Sequence, residues 1–430
     1  MTSPEQRNLM TRRDRSMGPA YRLFYDQPVH LVRGQGVWLW DADGRHYLDC
    51  YNNVASVGHC HPRVVEALCR QASTLNTHTR YLHENVVRYA ERLGGTLPGD
   101  LSVCMFVCTG TEANDLAFRI ARTVTGHEGA IVTEHAYHGN SMVVSALSTA
   151  EYPASDRPGW LEAIEPPNGY RGSFGREDGD AGPKFGALAG AAVEALADRG
   201  VAPAMFMVDN IFSSNGVLTA PEGYLETAYR SVHSAGGLAV ADEVQSGLCR
   251  LGDHYWGFQD SGVVPDIVTM GKPLGDGHPL AAVVTTPEIA ADFARRFDYF
   301  NTFGGNPVSA AVGLAVLDAI EEEGILQNAR DTGAYLGQGL NSLAATHDRV
   351  GDVRGKGLFY GVELVEDRAT REPAGDGARL VRERLKDKGV LLGTTGPLGN
   401  VIKIRPPLVF SRQNVDMLLE ALDEALHTLG

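Results

Sequence analysis

Lysine is scarce in this chain of 430 residues. Lys184, Lys272, Lys356, Lys386, Lys388 and Lys403 are the only six, and arginine is used elsewhere. Positive charge in excess is missing too. The formal net charge is −15, which argues against a nucleic-acid partner, because counterion release needs clustered lysine and arginine. A local basic pocket for a small phosphorylated molecule stays open. No run of about 18 apolar residues occurs, so no membrane span is expected. The N-terminus, Met-Thr-Ser-Pro-Glu-Gln-Arg-Asn-Leu-Met, lacks the apolar core of a secretory leader. Cysteines are few (Cys50, Cys60, Cys69, Cys104, Cys108 and Cys249) and show neither Cys-x-x-Cys nor disulfide-like spacing. Reduced thiols in a cytoplasmic protein are the expectation. Gly-His-Cys-His-Pro (58–62) has histidines only two apart and no partner cluster, so a structural turn is favoured over a metal site.

What is present fits an ordinary globular protein, with 43% apolar and 21% charged residues and length enough for two domains. Residues 1–20 read as a polar, arginine-rich surface arm. Residues 37–49 alternate around Asp-Gly and read as a hairpin. From about residue 60, short apolar strands alternate with helical periods. The strands fall at Val103–Val107, Ala130–Thr133, Met205–Val208, Leu238–Ala241, Ile267–Thr269 and Ala281–Val284. Such alternation implies an α/β fold with a mostly parallel sheet covered on both faces. Ligands then bind beyond the carboxyl ends of the strands. The stretch 166–185 is a long Pro/Gly/Asp loop and a lid candidate. After about 315 a long helical run leads to a strand at 357–364, then to helix and strand again. The expected division is an arm and hairpin at 1–57, a large domain at 58–315, and a small α+β domain at 316–430 that the hairpin joins.

Lys272 carries the sharpest chemical signal. It interrupts the apolar, glycine-rich run Asp266-Ile-Val-Thr-Met-Gly-Lys-Pro-Leu-Gly275. A lysine can lose its proton and form an imine with an aldehyde, which arginine cannot. Desolvation lowers an amine's pKa and makes it nucleophilic. Thirty residues upstream, Ala-Val-Ala-Asp-Glu-Val-Gln (239–245) ends another apolar strand in acid. A lysine and a carboxylate at the ends of neighbouring strands are what a pyridoxal phosphate site requires, with Asp242 on the pyridine nitrogen and Gln245 within reach of the ring hydroxyl. Asp242-Glu243 also suits a plain helix N-cap. Cys-Thr-Gly-Thr-Glu-Ala-Asn-Asp (108–115) follows a strand and opens a helix reaching about Thr123. Its free N–H groups and dipole end suit a phosphate, and the same residues suit a capping box with Thr109 or Thr111 as N-cap. His-Ala-Tyr-His-Gly (135–139) places an aromatic where it can stack on a planar ring. Thr302, in Phe-Asn-Thr-Phe-Gly-Gly-Asn-Pro (300–307), could add a phosphate contact.

In this order, these elements resemble the class III aminotransferases, a branch of the fold type I pyridoxal phosphate enzymes. Gly-Thr-Glu-Ala-Asn (110–114), Tyr137-His138-Gly139, Asp242-Glu243-Val244-Gln245, Gly271-Lys272, Thr302-Phe303-Gly304-Gly305 and Arg405-Pro406-Pro407-Leu408 occur at family spacing over about residues 20–425. The resemblance implies a large domain with a mostly parallel seven-stranded sheet between helices, plus a small α+β domain. It implies that Lys272 forms the imine with pyridoxal phosphate, Asp242 binds the ring nitrogen, Gln245 the ring oxygen, and Tyr137 and His138 flank the ring. Gly110 and Thr111 would hold the phosphate, with Thr302 arriving from a second subunit. A homodimer with interface active sites, or a tetramer built from it, follows. A narrower resemblance, carried by residues 51–62, 76–83, 266–279 and 299–305, is to the ethanolamine-phosphate phospho-lyases. Those eliminate phosphate on the same scaffold, and a sister activity takes phosphorylated hydroxylysine. Family transaminases usually carry arginine at the position of Lys403 and glutamate at that of Ser214, so a reusable carboxylate switch is not expected here. A lyase of this kind would convert O-phosphoethanolamine to acetaldehyde, ammonia and phosphate. Tyr51, Asn53, Arg80, Lys403 and Arg405 are the candidates for contact with the substrate, and Arg80, Lys403 and Arg405 for gripping its phosphate. The alternative is a ω-aminotransferase that passes an amine to a keto acid.

Overall fold

A computed structural model describes residues 4–429. At its centre lies a seven-stranded sheet in the order Val103–Val107, Ala281–Thr285, Ile267–Met270, Leu238–Asp242, Pro203–Asp209, Gly129–Thr133, Leu161–Ile164. Ala281–Thr285 runs antiparallel to both of its neighbours; the remaining pairs are parallel. The central strands are apolar almost throughout because helices cover both faces. Along Pro203–Asp209, Met205 and Met207 face one layer, where the helix Gly110–Thr125 contributes Ala113, Leu116, Ala117 and Ile120. Phe206 and Val208 face the other layer, filled by Phe185, Ala189 and Leu196 with Tyr224, Leu225 and Ala228. The two-residue period of the strand thus feeds two separate cores.

The register sets the site. Asp209 lies opposite Asp242, and Asp242 opposite Thr269. Two acids and the approach to Lys272 therefore end on one edge of the sheet. The expected hairpin forms between Trp38–Asp41 and His46–Asp49, with Leu31–Gln35 outside it. Leu48 and Asp49 also pair in parallel with Val390 and Leu391, so chain ends far apart in sequence share a sheet. A third, antiparallel sheet contains Val350–Lys356, Phe359–Asp367, Val401–Ile404 and Gly393–Thr395.

Several sequence expectations shift. The segment Pro4–Met17 of the arm is a helix with no buried residue. A strand at Leu161–Ile164 forms the edge of the large sheet. The loop 166–185 ends early, because Ala181–Asp198 is helical. What precedes that helix is tied down: Arg171 pairs with Glu363, and Arg176 meets Asp352 with both guanidinium nitrogens at 2.6 Å. The helical run after 315 is two helices, Pro307–Glu322 and Ile325–Thr346. They part at Gly324, whose φ of +64° falls in the left-handed region that glycine tolerates. All six cysteines are free thiols. His59 and His61 each meet a carboxylate, Asp49 at 2.6 Å and Glu323 at 2.9 Å.

Candidate active site

A cavity of about 330 Å³ opens at the carboxyl edge of the large sheet, between the N-terminus of the helix Gly110–Thr125 and the chain around Lys272. Gly110, Thr111, Tyr137, His138, Asp242, Gln245 and Lys272 all line it. Seven residues from four stretches of sequence therefore converge on one hollow.

Lys272 follows the strand Ile267–Met270, with φ of +27°, unusual for a residue carrying a side chain. No hydrogen bond or ion pair holds its amine among the described residues. Burial pulls that amine down to about 8, helped by Arg405 and opposed by Asp242 and Asp209. Far more of the lysine is then neutral near physiological pH than at the ordinary lysine value, although most of it stays protonated.

Asp242 is buried and accepts three hydrogen bonds. Oδ2 meets His138 Nδ1 at 2.7 Å and Asn114 Nδ2 at 2.9 Å, and Oδ1 meets Val244 N–H at 3.1 Å. Because a carboxylate accepts, the network places a proton on His138 Nδ1. Its Nε2 is buried without a partner. Asn114 is itself fixed, donating to the His138 carbonyl at 2.7 Å and accepting from Thr269 Oγ1 at 2.6 Å. Sequence reasoning left Asn114 without a role, although it closes the Gly-Thr-Glu-Ala-Asn motif. Burial, with Asp242 as neighbour, raises the carboxyl of Asp209.

At the other end of the cavity, Thr109 is the N-cap, accepting from Glu112 N–H at 3.1 Å, and Glu112 reaches back to Cys108 N–H at 2.9 Å. Capping and a phosphate contact would thus draw on different amides. Capping uses Cys108 and Glu112. The N–H groups of Gly110 and Thr111 keep no partner among the described residues. A Cβ on Gly110 would lie 2.9 Å from a Val244 methyl, and one on Gly139 would lie 2.6 Å from Thr111 Oγ1. Close backbone approach here demands glycine. A free lysine amine, a buried carboxylate, free amides at a helix N-terminus and an aromatic side chain, Tyr137, around one cavity fit pyridoxal phosphate. Lys272 would hold its aldehyde carbon, Gly110 and Thr111 its phosphate, Asp242 its ring nitrogen, and Tyr137 and His138 would flank its ring.

The candidate substrate residues divide into two groups. Tyr51, Asn53, Lys403 and Arg405 form one cluster beside the cavity. Gln245 Oε1 accepts from Asn53 Nδ2 at 2.8 Å and from Arg405. The Arg405 guanidinium lies 4.5 Å from the Tyr51 ring centre. Lys403, on the strand Val401–Ile404, is buried and donates to the Ser213 carbonyl at 3.3 Å. Neither Lys403 nor Arg405 forms an ion pair among the described residues. Burial lowers both, Lys403 well below the ordinary lysine value, and Arg405 lowers Lys403 further. Arg80 and Thr302 are not brought into this chain's cavity. Both are exposed, with Arg80 stacked on Phe300 at 4.1 Å. Asn301 Oδ1 turns the chain after Thr302 by accepting from Phe303 and Gly304 N–H groups at 3.1 and 2.8 Å. No helix among the described residues is long and apolar enough to cross a membrane.

Comparison with known proteins agrees with this geometry. The family model for aminotransferase class-III matches residues 23–426. The chain is 44% identical over 427 residues to an alanine–glyoxylate aminotransferase 2-like protein of Drosophila melanogaster, covering 96% of this chain and 86% of that one. It is 37% identical over 434 residues to ethanolamine-phosphate phospho-lyase homolog 1 of Caenorhabditis elegans, covering 97% and 93%. Among solved structures, a phospholyase from Arthrobacter in complex with phosphoethanolamine superposes with a TM-score of 0.94 at 42% identity, covering 98% of this chain and 100% of that one.

Proposed function

We propose a function from one premise: the chain belongs to the class III aminotransferase family, whose enzymes depend on pyridoxal phosphate. Within that family we read it as an ethanolamine-phosphate phospho-lyase. O-phosphoethanolamine and water would give acetaldehyde, ammonia and phosphate. The observation that carries this reading is the buried pair Lys403 and Arg405, two basic side chains beside the cavity that form no ion pair among the described residues and whose charged forms burial disfavours. Buried charge is costly unless paired, so the pair is suited to a dianionic phosphate. The phosphoethanolamine complex of the Arthrobacter relative supports the same substrate class.

Bound pyridoxal phosphate supplies an electron sink for the carbon that carries the substrate amine. The work of the chain is proton transfer and positioning. Lys272, whose neutral form is made accessible because burial brings it to about 8, takes the proton from that carbon. Asp242, fixed by three donors, presents its carboxylate to the ring nitrogen. Arg405 and Lys403 hold the phosphate and fix the direction of the carbon–oxygen bond. That bond breaks and phosphate leaves with the bonding pair; the carbon it leaves gains a proton, which the Lys272 ammonium can return, and water then replaces nitrogen to yield acetaldehyde and ammonia. Arg80 and Thr302 are read as reaching the site of a second copy in a homodimer. Their exposed neighbours Tyr81, Leu82 and Phe303 support that arrangement.

The second reading, an aminotransferase, is favoured by the Drosophila relative. One experiment separates the two. The cofactor-loaded enzyme is mixed with phosphoethanolamine, without any keto acid, and phosphate and acetaldehyde are followed over many turnovers. Continuous release supports the lyase. A single stoichiometric turnover, or activity only when pyruvate is added, refutes it in favour of the aminotransferase. Parallel assays with 5-phosphohydroxylysine test the substrate's tail.

A further inference from the structure

We propose that His347, Asp423 and His427 form a binding site for one Zn²⁺ ion per chain, separate from the cavity around Lys272. The three donor atoms lie within 4.8 Å of one another. His347 Nε2 is 2.6 Å from Asp423 Oδ1, and His427 Nδ1 is 3.8 Å from the same oxygen. The two imidazoles stand edge to face with ring centres 4.6 Å apart, so both rings turn toward one carboxylate. A tetrahedral zinc ion with bonds of about 2.0–2.1 Å places its ligand atoms roughly 3.4 Å apart. Reaching that geometry lengthens the His347–Asp423 contact, shortens that between His427 and the Asp423 carboxylate, and takes His427 Nδ1 from the Asp423 carbonyl oxygen, 2.9 Å away.

The backbone favours a cation at the same point. His347 is the C-cap of the helix Ile325–Thr346, and His427 is the C-cap of the helix Arg412–Leu426, with Asp423 in that helix's last turn. Two helix C-termini, each with its partial negative charge, therefore converge on the cluster. Arg368 serves the carbonyls of Ala344 and His347, but no lysine or arginine pairs with Asp423 among the described residues. Two imidazoles and one carboxylate suit zinc and its neighbours better than magnesium or calcium, which take oxygen ligands. Bound there, zinc would staple the ends of two helices that pack along one another.

The test uses the tag-free, cofactor-loaded full chain, with ZnCl₂ followed by calorimetry and by thermal unfolding, and MgCl₂ as control. One equivalent of zinc should bind and raise Tm, because a ligand selective for the folded state stabilises it. Groups that merely orient a metal ligand are worth about 10- to 100-fold in affinity, so loss of a ligand should cost at least about tenfold. His427→Ala, at an exposed position, should show that loss, keep the metal-free Tm and lose most of the zinc-dependent rise. His347→Gln should do the same to affinity. Zinc affinity and Tm rise unchanged in both variants would overturn the proposal, as would failure of the wild-type chain to bind one equivalent.

Discussion

Replacing Asp242 by asparagine tests the centre of the site, and the hydrogen bonds set the expected size of the effect. The carboxylate accepts from His138 Nδ1, Asn114 Nδ2 and Val244 N–H. Asparagine offers one oxygen and one NH₂. With the oxygen kept on Val244, the new NH₂ faces His138 and Asn114. His138 can adapt by moving its proton to Nε2, which has no partner to lose. Asn114 cannot turn over, because its NH₂ also serves the His138 carbonyl and its oxygen takes the Thr269 hydroxyl. One buried donor is left facing another, at a cost of about 1–3 kcal/mol. That cost should appear as a lower urea midpoint in the cofactor-free chain. In the loaded enzyme, loss of a charge fixed against the ring should lower phosphate release on the order of 10²–10³-fold. A variant within about 0.5 kcal/mol of wild type, the range of an indifferent surface change, and within a few-fold in turnover would refute the network and the role of Asp242 together.

Gly110→Ala pushes a methyl against two Val244 methyls at 2.9 and 3.0 Å. Overpacking of about 1–3 kcal/mol should weaken cofactor affinity roughly 5- to 150-fold. Adding Val244→Ala should restore much of it, as followed by absorbance titration. The rate at which the cofactor-free chain captures pyridoxal phosphate should rise with pH through a midpoint near 8. The neutral amine is the reactive form, and burial lowers Lys272 to about 8; a midpoint above about 10, the free-lysine range, would show that burial does not act on this amine. Burial raises the Asp276 carboxyl to about 8. The fold therefore favours the neutral form; this contribution is fully present below about pH 4, the ordinary carboxyl value, and is lost progressively as pH rises to 8. Asp276→Asn can keep the Val57 N–H bond, now 3.0 Å, so its Tm should match wild type near pH 4 and exceed it by a margin that grows up to about pH 8. Equal losses for both proteins would refute the assignment.

How much of this was legible in the sequence depends on how local each signal is. Six of the seven strands of the large sheet could be read from apolar runs. The seventh, Leu-Glu-Ala-Ile, could not, since it lies at the sheet's edge with its two central residues only half-buried. The start of the helix at Ala181 was hidden by Gly182 and Pro183, which read as loop. Gly182 is needed for packing instead: a Cβ there would fall 1.8 Å from the Glu222 carbonyl oxygen. Lys272, Asp242 and Gly110 were legible because each sits at a strand end or helix start. The clamp of Asn53 and Arg405 on Gln245 was not, because it joins residues 160 and 192 positions apart.

The same limit explains why Lys403 matters more in the fold than in the sequence, where it is one residue at a position that usually carries arginine. Burial shows what the exchange costs. Its amine is sunk beside Arg405, with one carbonyl oxygen as hydrogen-bond partner and the Phe359 ring centre 5.6 Å away. An arginine there could spread its charge over several donors, whereas lysine concentrates it at one atom. A buried point charge with no counter-ion lowers stability unless something at the site compensates, and such uncompensated groups gather at functional sites. On the proposed reading the substrate phosphate brings two negative charges and so favours the charged forms of Lys403 and Arg405, which burial disfavours in the free chain. The same arrangement disfavours a neutral amine substrate, because nothing in it would relieve Lys403 and Arg405.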